Sequence, residues 1–90
     1  MLKIVLSNRF KKDLKLAKKR GYEIERLRDV INTLACEQKL DKRYHDHELT
    51  GNYTGFRECH IGPDWLLVYR IELDVLELFL FRTGTHSDIF

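Results

Sequence analysis

The sequence predicts an α+β fold, a small antiparallel sheet with two helices packed on one of its faces. Leu2, Ile4 and Leu6 alternate with Lys3, Val5 and Ser7, which is typical of a short strand. Apolar residues then recur at helical spacing across residues 10–35. Residues 55–83 then contain three strand-like segments joined by very short connections, which make neighbouring strands antiparallel. The predicted order is therefore strand, helix, helix, strand, strand, strand.

Two successive helices are predicted in the first half of the chain. The first is expected to begin after Ser7 or Asn8, either of which can cap a free backbone N–H, and to end at Gly21. The second is expected to run from about Glu23 to Glu37. The apolar stripes that would face the sheet are Phe10, Leu14 and Ala17 in the first helix and Ile24, Leu27, Ile31 and Leu34 in the second.

The second half of the chain is predicted to form a long loop and three strands. Residues 38–54 are polar and lack periodicity, and loops of that length in small domains are usually functional or mobile. Strands are expected at residues 55–61, 64–72 and 75–83, and the middle one should be central because it is apolar on both faces. The tail that follows is predicted to be too short for another element.

Length and composition are those of a single globular domain spanning residues 1–90. The chain is 43% hydrophobic and 33% charged, which excludes a disordered chain, and no apolar run approaches the ~20 residues that cross a bilayer. No signal peptide is expected, and Cys36 and Cys59 are interpreted as free thiols. We therefore expect a cytoplasmic protein with no membrane partner.

Charge is distributed unevenly along the chain. Residues 1–43 carry 13 Lys and Arg against 6 Asp and Glu, whereas residues 44–90 carry 3 against 8. A basic half suggests a polyanionic partner, although a solvated helix face is often rich in lysine as well. The candidate contacts to nucleic acid in the first helix are Lys11, Lys15, Lys18 and Lys19.

All four histidines lie in the second half of the chain, in the predicted loop, at the end of a strand and in the tail. Antiparallel pairing can bring such positions together, and histidine transfers protons near neutral pH. A zinc site is one interpretation, but the spacing matches no standard zinc motif. The other is metal-free acid–base catalysis on RNA, whose 2′-hydroxyl is a built-in nucleophile. It needs two proton-transfer groups and a fixed positive charge, which histidines and Arg82 would provide, so we expect it, with no metal or cofactor.

Three segments of the chain, HDHELTG, GFRECHIGPDW and RTGTHSDIF, resemble those of the YafQ group in the RelE/ParE toxin superfamily. The similarity covers nearly the whole chain, including the lysine-rich segment KKDLKLAKKRG. It implies a RelE-like fold and a toxin of a type II toxin–antitoxin system, an endoribonuclease that cleaves mRNA on the ribosome. It also implies neutralisation by a cognate antitoxin, with DNA contacted only through that antitoxin.

The resemblance further implies a catalytic set made of three histidines, an acid and an arginine that faces the scissile phosphate. His45 has no counterpart in the family and is left outside the expected site. The residues matched by motif are His47, His60, Asp64, Arg82 and His86.

Two aromatic residues are candidate substrate contacts: Phe90, which matches the family's terminal aromatic residue, and Trp65, which follows the matched aspartate. Each has a structural alternative, since Trp65 begins an apolar strand and is favoured as a core residue, whereas Phe90 would cover the sheet. Arg82 would likewise pair with an acid. Glu48 departs from the family pattern, and its carboxylate either acts on the neighbouring His47 or points to solvent.

Other interpretations remain for two parts of the sequence. Arg57 and Glu58 are interpreted as a cross-strand pair or a surface pair. ParE-type toxins of the same superfamily bind DNA gyrase and cleave nothing, and the basic helix alone would suit a nucleic-acid-binding accessory protein. The resemblance implies that ParE-type tails lack the histidine set, so the RTGTHSDIF ending favours the nuclease.

Overall fold

The computed structural model describes residues 1–90 and confirms the α+β class. The elements are β1 (Lys3–Leu6), α1 (Asn8–Lys19), α2 (Ile24–Ala35), β2 (His47–Glu48), β3 (Arg57–Gly62), β4 (Trp65–Glu72), β5 (Glu77–Gly84) and α3 (His86–Ile89). The five strands form one sheet in the order β1-β5-β4-β3-β2. Two single turns of 3-10 helix, Lys42–Tyr44 and Gly51–Tyr53, lie in the long loop. None of the helices could span a lipid bilayer.

The sheet is antiparallel from β2 to β5, as expected, but its first strand is an exception. β1 pairs in parallel with β5, so that Lys3 lies beside Glu77 and Leu6 beside Leu80. The argument from short connections applies only to strands joined by hairpins. β1 is joined to the sheet through two helices, and such a crossover can deliver a strand in either direction.

Two segments expected to lack regular structure form elements. The long loop contributes the edge strand β2, which pairs antiparallel with β3. The expectation that the tail forms no element is wrong, because residues 86–89 make a helical turn. Thr85 caps it by accepting a hydrogen bond from the Asp88 N–H, and the Asp88 carboxylate accepts one from the Thr85 N–H. This reciprocal arrangement is a capping box, which stabilises the start of a very short helix.

The sheet separates two apolar clusters of different size. The larger cluster packs α1 and α2 against one face and includes Phe10, Leu27, Leu67, Tyr69 and Leu80. The smaller cluster, on the other face, contains Leu66, Val68 and Ile89, with Phe56 and Phe81 packed at its edge. β4 is therefore buried on both faces, as its uninterrupted apolar run predicts.

Trp65 belongs to the larger cluster, with 6% of its surface exposed. Its indole N–H donates a hydrogen bond to Thr83 Oγ1 at 2.9 Å, and the Thr83 hydroxyl donates to the Leu66 carbonyl at 2.7 Å. An indole enclosed in this way does not stack on a base, so the structure contradicts a substrate contact by Trp65 and supports the core alternative.

Thr83→Val should destabilise the protein, because it leaves the Trp65 N–H and the Leu66 carbonyl buried without partners. Each unsatisfied group costs about 1–3 kcal/mol, so we expect a loss of roughly 2–4 kcal/mol in the free energy of unfolding, measured by urea denaturation. Thr50→Val, at an exposed threonine, serves as the control and should change stability by less than about 0.5 kcal/mol. Equal stability of the two variants would show that this hydrogen-bond chain contributes nothing.

Candidate active site

The candidate site lies on the sheet face opposite α1 and α2. In β3, Cys59 and Ile61 are buried beneath the helices, so Glu58 and His60 project from the other face. The register places Glu58 beside Val68, and Val68 beside Arg82 on β5, so these side chains share that face. Two of the sequence-predicted site residues, His60 on β3 and Arg82 on β5, therefore share this face with Glu58.

A β-bulge brings Arg82 to this face. Leu80 pairs with Tyr69 and Arg82 pairs with Val68, which leaves Phe81 as an extra residue in β5. Strict alternation from the buried Leu78 and Leu80 would have turned Arg82 toward the helices. The bulge reverses the alternation for the rest of the strand, so that Thr83, and not Arg82, meets the core.

All four imidazole rings form one cluster centred on His60. The His60 ring centroid lies 5.7 Å from that of His45, 6.4 Å from that of His47 and 6.1 Å from that of His86. His45, which the sequence argument left outside the site, is therefore part of the cluster. It adopts a left-handed backbone conformation, with φ of 49°, which is uncommon for a residue with a side chain and typical of functional or strained positions.

Glu58 is the site residue that the sequence analysis missed. Its side chain is 7% exposed, with Oε2 3.2 Å from His47 Nε2 and Oε1 3.9 Å from His86 Nε2. Oε1 is buried and has no hydrogen-bond partner. The expected pairing with Arg57 is wrong, since Arg57 pairs with Asp46 and Glu48 instead. The signal that could have found it is in the sequence, where the polar residues Glu58 and His60 alternate with the apolar residues Cys59 and Ile61.

Glu48 does not act on its neighbour His47. The carboxylate is 81% exposed and lies 3.5 Å from Arg57 Nη1. The His47 ring is held from the other side, where its Nδ1 lies 2.8 Å from the His45 carbonyl oxygen. Of the two alternatives left by the sequence, the carboxylate that points to solvent is therefore the correct one.

Asp64 holds His86 by two contacts to a single carboxylate oxygen. The His86 backbone N–H donates to Asp64 Oδ1 at 3.1 Å, and His86 Nδ1 lies 3.1 Å from the same atom. The backbone hydrogen bond, followed by the side-chain contact, lowers the pKa of the Asp64 carboxyl from its ordinary value. A stabilised carboxylate is a weaker base, so this geometry suits orientation of the imidazole better than proton abstraction by Asp64 itself.

Arg82 is fixed by an ion pair with α1. Its Nε and Nη2 donate to the two carboxylate oxygens of Asp13 at 2.7 and 3.1 Å, and Nη2 also donates to the Asp88 carbonyl at 3.2 Å. The hydrogen bonds to Asp13 raise the pKa of the guanidinium. The remaining nitrogen, Nη1, makes no hydrogen bond within the protein and is not buried, so it is accessible to solvent. The pairing with an acid that the sequence left open is thus present, with one nitrogen remaining free.

The α3 turn is anchored to α1 through Asp88. Arg20 donates to both Asp88 carboxylate oxygens, at 2.7 and 3.2 Å, and these bonds with the Thr85 N–H lower the Asp88 pKa well below its usual range. Gly84, with φ of +153°, makes room for this carboxylate, since a Cβ there would lie 2.8 Å from Asp88 Oδ2. The contacts of Asp88 thereby fix the position of His86.

Phe90 is 53% exposed and therefore does not cover the sheet as the alternative proposed. Its ring meets Tyr53 edge-on, with 5.0 Å between centroids, and lies 6.4 Å from the His86 ring. An exposed aromatic ring next to the histidines has the form of a stacking platform for a base.

The four lysines assigned to nucleic acid lie elsewhere on the molecule. All are exposed on α1, whose buried residues Phe10 and Ala17 face the sheet from the helix side. They form a basic surface separate from the histidine cluster and do not belong to the catalytic centre. The residues of this surface are Lys11, Lys15, Lys18 and Lys19.

No group of three or more His, Cys, Asp or Glu side chains is arranged to hold a metal ion. In the cluster, the Nε2 atoms of His47 and His86 face the Glu58 carboxylate at 3.2 and 3.9 Å, and His86 Nδ1 lies 3.1 Å from Asp64 Oδ1. The arrangement provides exposed proton-transfer groups, one buried carboxylate and one fixed guanidinium. Such a set can carry out acid–base chemistry on a phosphodiester.

Asp88→Asn should loosen α3 without unfolding the domain, since it removes the charge that binds Arg20. We expect amide exchange of residues 88–90 to accelerate about tenfold or more, with little change in the urea midpoint. Because the folded-state pKa of Asp88 is lowered, docking is present above its unfolded pKa of ~3.9 and is lost as the pH falls through the folded value. The α3 amide resonances should follow that acid transition. Asp74→Asn, at an exposed turn, is the control, and exchange that is equally slow in both variants would contradict the anchoring role.

Comparisons with known proteins agree with this architecture. Residues 2–90 match the family described as bacterial toxin of type II toxin–antitoxin system, YafQ. The chain is 36% identical to the mRNA interferase toxin YafQ of Escherichia coli K12 over 88 residues, which cover 97% of this chain and 94% of that protein.

Two solved structures show the same fold over the full length of the chain. A metal-bound toxin from Helicobacter pylori is 48% identical, with a TM-score of 0.95 and complete coverage of both chains. The E. coli DinJ–YafQ toxin–antitoxin complex gives 35% identity and a TM-score of 0.89, covering 100% of this chain and 99% of that one. The chain belongs to the YafQ family of bacterial toxins from type II toxin–antitoxin systems.

Proposed function

We propose that the chain cleaves mRNA on the ribosome by metal-independent acid–base transesterification at the histidine cluster. The class of activity, an endoribonuclease of the mRNA interferase type, follows from the family and from its E. coli relative. The mechanism rests on one observation above all: His86, from the tail, lies 6.1 Å from the ring of His60 while Asp64 holds its Nδ1 side.

The proposed reaction uses the 2′-hydroxyl of the substrate as nucleophile. One imidazole removes its proton, the oxygen attacks the adjacent phosphorus, and a protonated imidazole gives a proton to the departing 5′-oxygen. The products are a 2′,3′-cyclic phosphate and a 5′-hydroxyl end. His60 and His86 are the proposed pair, with either able to act as base, and each proton transfer contributes typically 10²–10⁴-fold.

Three side chains support this pair. Asp64 holds the Nδ1 side of His86, which leaves Nε2, 3.9 Å from Glu58 Oε1, as the nitrogen for proton transfer. Glu58 lies between His47 and His86, where its carboxylate can form an ion pair with an imidazole that has accepted a proton. His47, held by the His45 carbonyl and Glu58, is a further proton-transfer group at the edge of the cluster.

Arg82 supplies the fixed positive charge. Its bonds to Asp13 and the Asp88 carbonyl hold the guanidinium in place, and Nη1 remains free to meet a phosphate oxygen. A preorganised cation stabilises the crowded phosphorane without reorganising during the reaction. The ion pair with Asp13 is therefore compatible with a catalytic role for Arg82.

The remaining partners follow from the basic surface and from the relatives. The exposed lysines of α1 would contact ribosomal RNA, and Phe90 would stack on an mRNA base. A cognate antitoxin would neutralise the toxin, as DinJ forms a complex with YafQ in E. coli, and DNA would be contacted only through that antitoxin. Cleavage on translating ribosomes would take place in the cytoplasm.

His86→Ala should lower the rate of the chemical step by about 10²-fold or more, because a proton-transfer group is lost. The measurement is single-turnover cleavage of mRNA on programmed ribosomes at saturating toxin, in excess chelator, with thermal unfolding recorded in parallel. The wild type should keep its full rate in chelator, provided that the ribosomes are shown to remain intact.

Ser87→Ala is the matched control, an exposed neighbour in the same turn, and should cleave at the wild-type rate. A folded His86→Ala protein that cleaves as fast as the wild type would refute the catalytic assignment. Loss of wild-type cleavage in chelator, restored by zinc, would refute the metal-independent mechanism.

Replacing Lys11, Lys15, Lys18 and Lys19 with Gln should weaken ribosome binding and flatten its salt dependence. Each phosphate contact releases counterions, so the slope of log K against log salt should decrease by up to about 0.9 per lost contact. The fold should persist, because all four side chains are exposed. A salt titration that gives the wild-type slope would show that this helix face is only solvated.

A further inference from the structure

A cavity of about 580 Å³ opens at the part of the histidine cluster formed by His45 and His60, and neither His86 nor Phe90 lines it. Its lining comes from α2, from the 3-10 turn at residues 42–44 and from the end of β3. His60 belongs to both the cavity and the cluster. Cavities of roughly 300–1,000 Å³ hold small molecules of nucleotide size, so the volume is sufficient for one nucleotide unit.

The cavity is lined by arginines that have no acidic partner. Arg26 and Arg43 border it, and neither lies within ion-pair distance of an Asp or Glu. Asp29 is the one carboxylate in the lining. Most other arginines of the chain are neutralised, and the five that pair with an acid are Arg20, Arg28, Arg57, Arg70 and Arg82. Unneutralised guanidinium groups at a concave surface are suited to a phosphate.

Both arginines are held in position by neutral groups. Arg26 Nη2 donates to the Ile61 carbonyl at 2.6 Å. Arg43 stacks over the Tyr44 ring, with Cζ 4.9 Å from its centroid, and Nη2 donates to the Tyr44 hydroxyl at 3.0 Å. Their positive charge is thereby fixed without being cancelled, and the Arg43 plane remains available to stack on a base.

His45 connects the cavity with the cluster. It lines the cavity, and its ring meets that of His60 edge-on at 5.7 Å. Its left-handed backbone costs roughly 1–2 kcal/mol for a residue that is not glycine. A ligand in the cavity would therefore lie directly beside the proposed proton-transfer groups.

We propose that this cavity, with Arg26 and Arg43 as phosphate ligands and His45 at its inner wall, is a subsite for a nucleotide next to the scissile phosphodiester. The inference rests on the proposed nuclease function and adds the path that the RNA follows across the protein surface. The strand would extend from the Phe90 and Tyr53 rings, across His86 and His60, into the cavity. An acidic peptide is the alternative ligand, but binding of a peptide would not explain why His60 lines the cavity and also belongs to the histidine cluster.

The test uses the full chain and an RNA trinucleotide with deoxyribose at its first two positions, so that no 2′-hydroxyl can attack either phosphodiester. Titration followed by ¹H–¹⁵N NMR should shift His45, Gly62 and the Arg43 side chain in a saturable way. Arg43→Ala and Arg26→Ala should each raise the Kd about tenfold, as expected for one lost charge-assisted hydrogen bond. Lys42→Ala is the matched control, an exposed cation of the same turn that does not line the cavity, and should change the Kd less than twofold.

The inference is overturned if millimolar probe gives no saturable shift at the cavity, if shifts are confined to His86 and Phe90, or if the three variants bind alike. Using two arginines on separate elements protects the test against a variant that merely disturbs one loop. A purified antitoxin that loses affinity with both arginine variants, while the trinucleotide does not, assigns the cavity to a peptide. Absence of mRNA cleavage by the wild type, in contrast, defeats the proposed function, and the titration still decides whether the cavity binds nucleotide.

Discussion

The β-bulge at Phe81 is the constraint on which the site depends. By adding one residue opposite Val68 and Tyr69, it sends Arg82 to the histidine face and Thr83 to the core. β1 pairs with β5 only as far as Leu80, and the start of α1 binds the part of β5 that follows. There the Ser7 hydroxyl donates to the Phe81 carbonyl at 2.6 Å, and Asp13 accepts from the Thr83 N–H at 3.1 Å. Because Ser7 and Asp13 bind the residues on either side of Arg82, packing of α1 fixes Arg82 on the sheet face opposite the helices.

The cations of the protein fall into two classes that divide structure from recognition. Arg20 and Arg82 join α1 to the tail and to β5 through carboxylates of low exposure. Arg20 thereby fixes the turn that carries His86, whereas Arg82 is itself held in place at the candidate site. The α1 lysines and the cavity arginines have no such partners and remain available to an anion. The basic residues in the first half of the sequence therefore include cations that stabilise the fold and cations that are free to bind an anion. Net charge alone does not distinguish the two groups.

The sequence predicted what periodicity and short connections determine. The helices, β3 to β5 and the central position of β4 follow from apolar spacing, and the residue set of the site followed from a family resemblance. Burial of Glu58 between two histidines was missed because neighbouring Arg57 offered an obvious partner in sequence. The bulge, the left-handed His45 and the α3 turn depend on tertiary contacts such as Arg20 with Asp88, which local patterns do not contain.

The arrangement of the site has a common physical logic. In the proposed reaction, proton carriers must exchange with solvent and substrate, and His47 and His86 are about half exposed. Charges that would stabilise the transition state must not move, and Arg82 and Glu58 are about nine-tenths buried. The sheet makes this division possible, since it anchors Glu58 and Arg82 in one row across β3, β4 and β5, whereas the loop and the tail supply the more exposed His47 and His86.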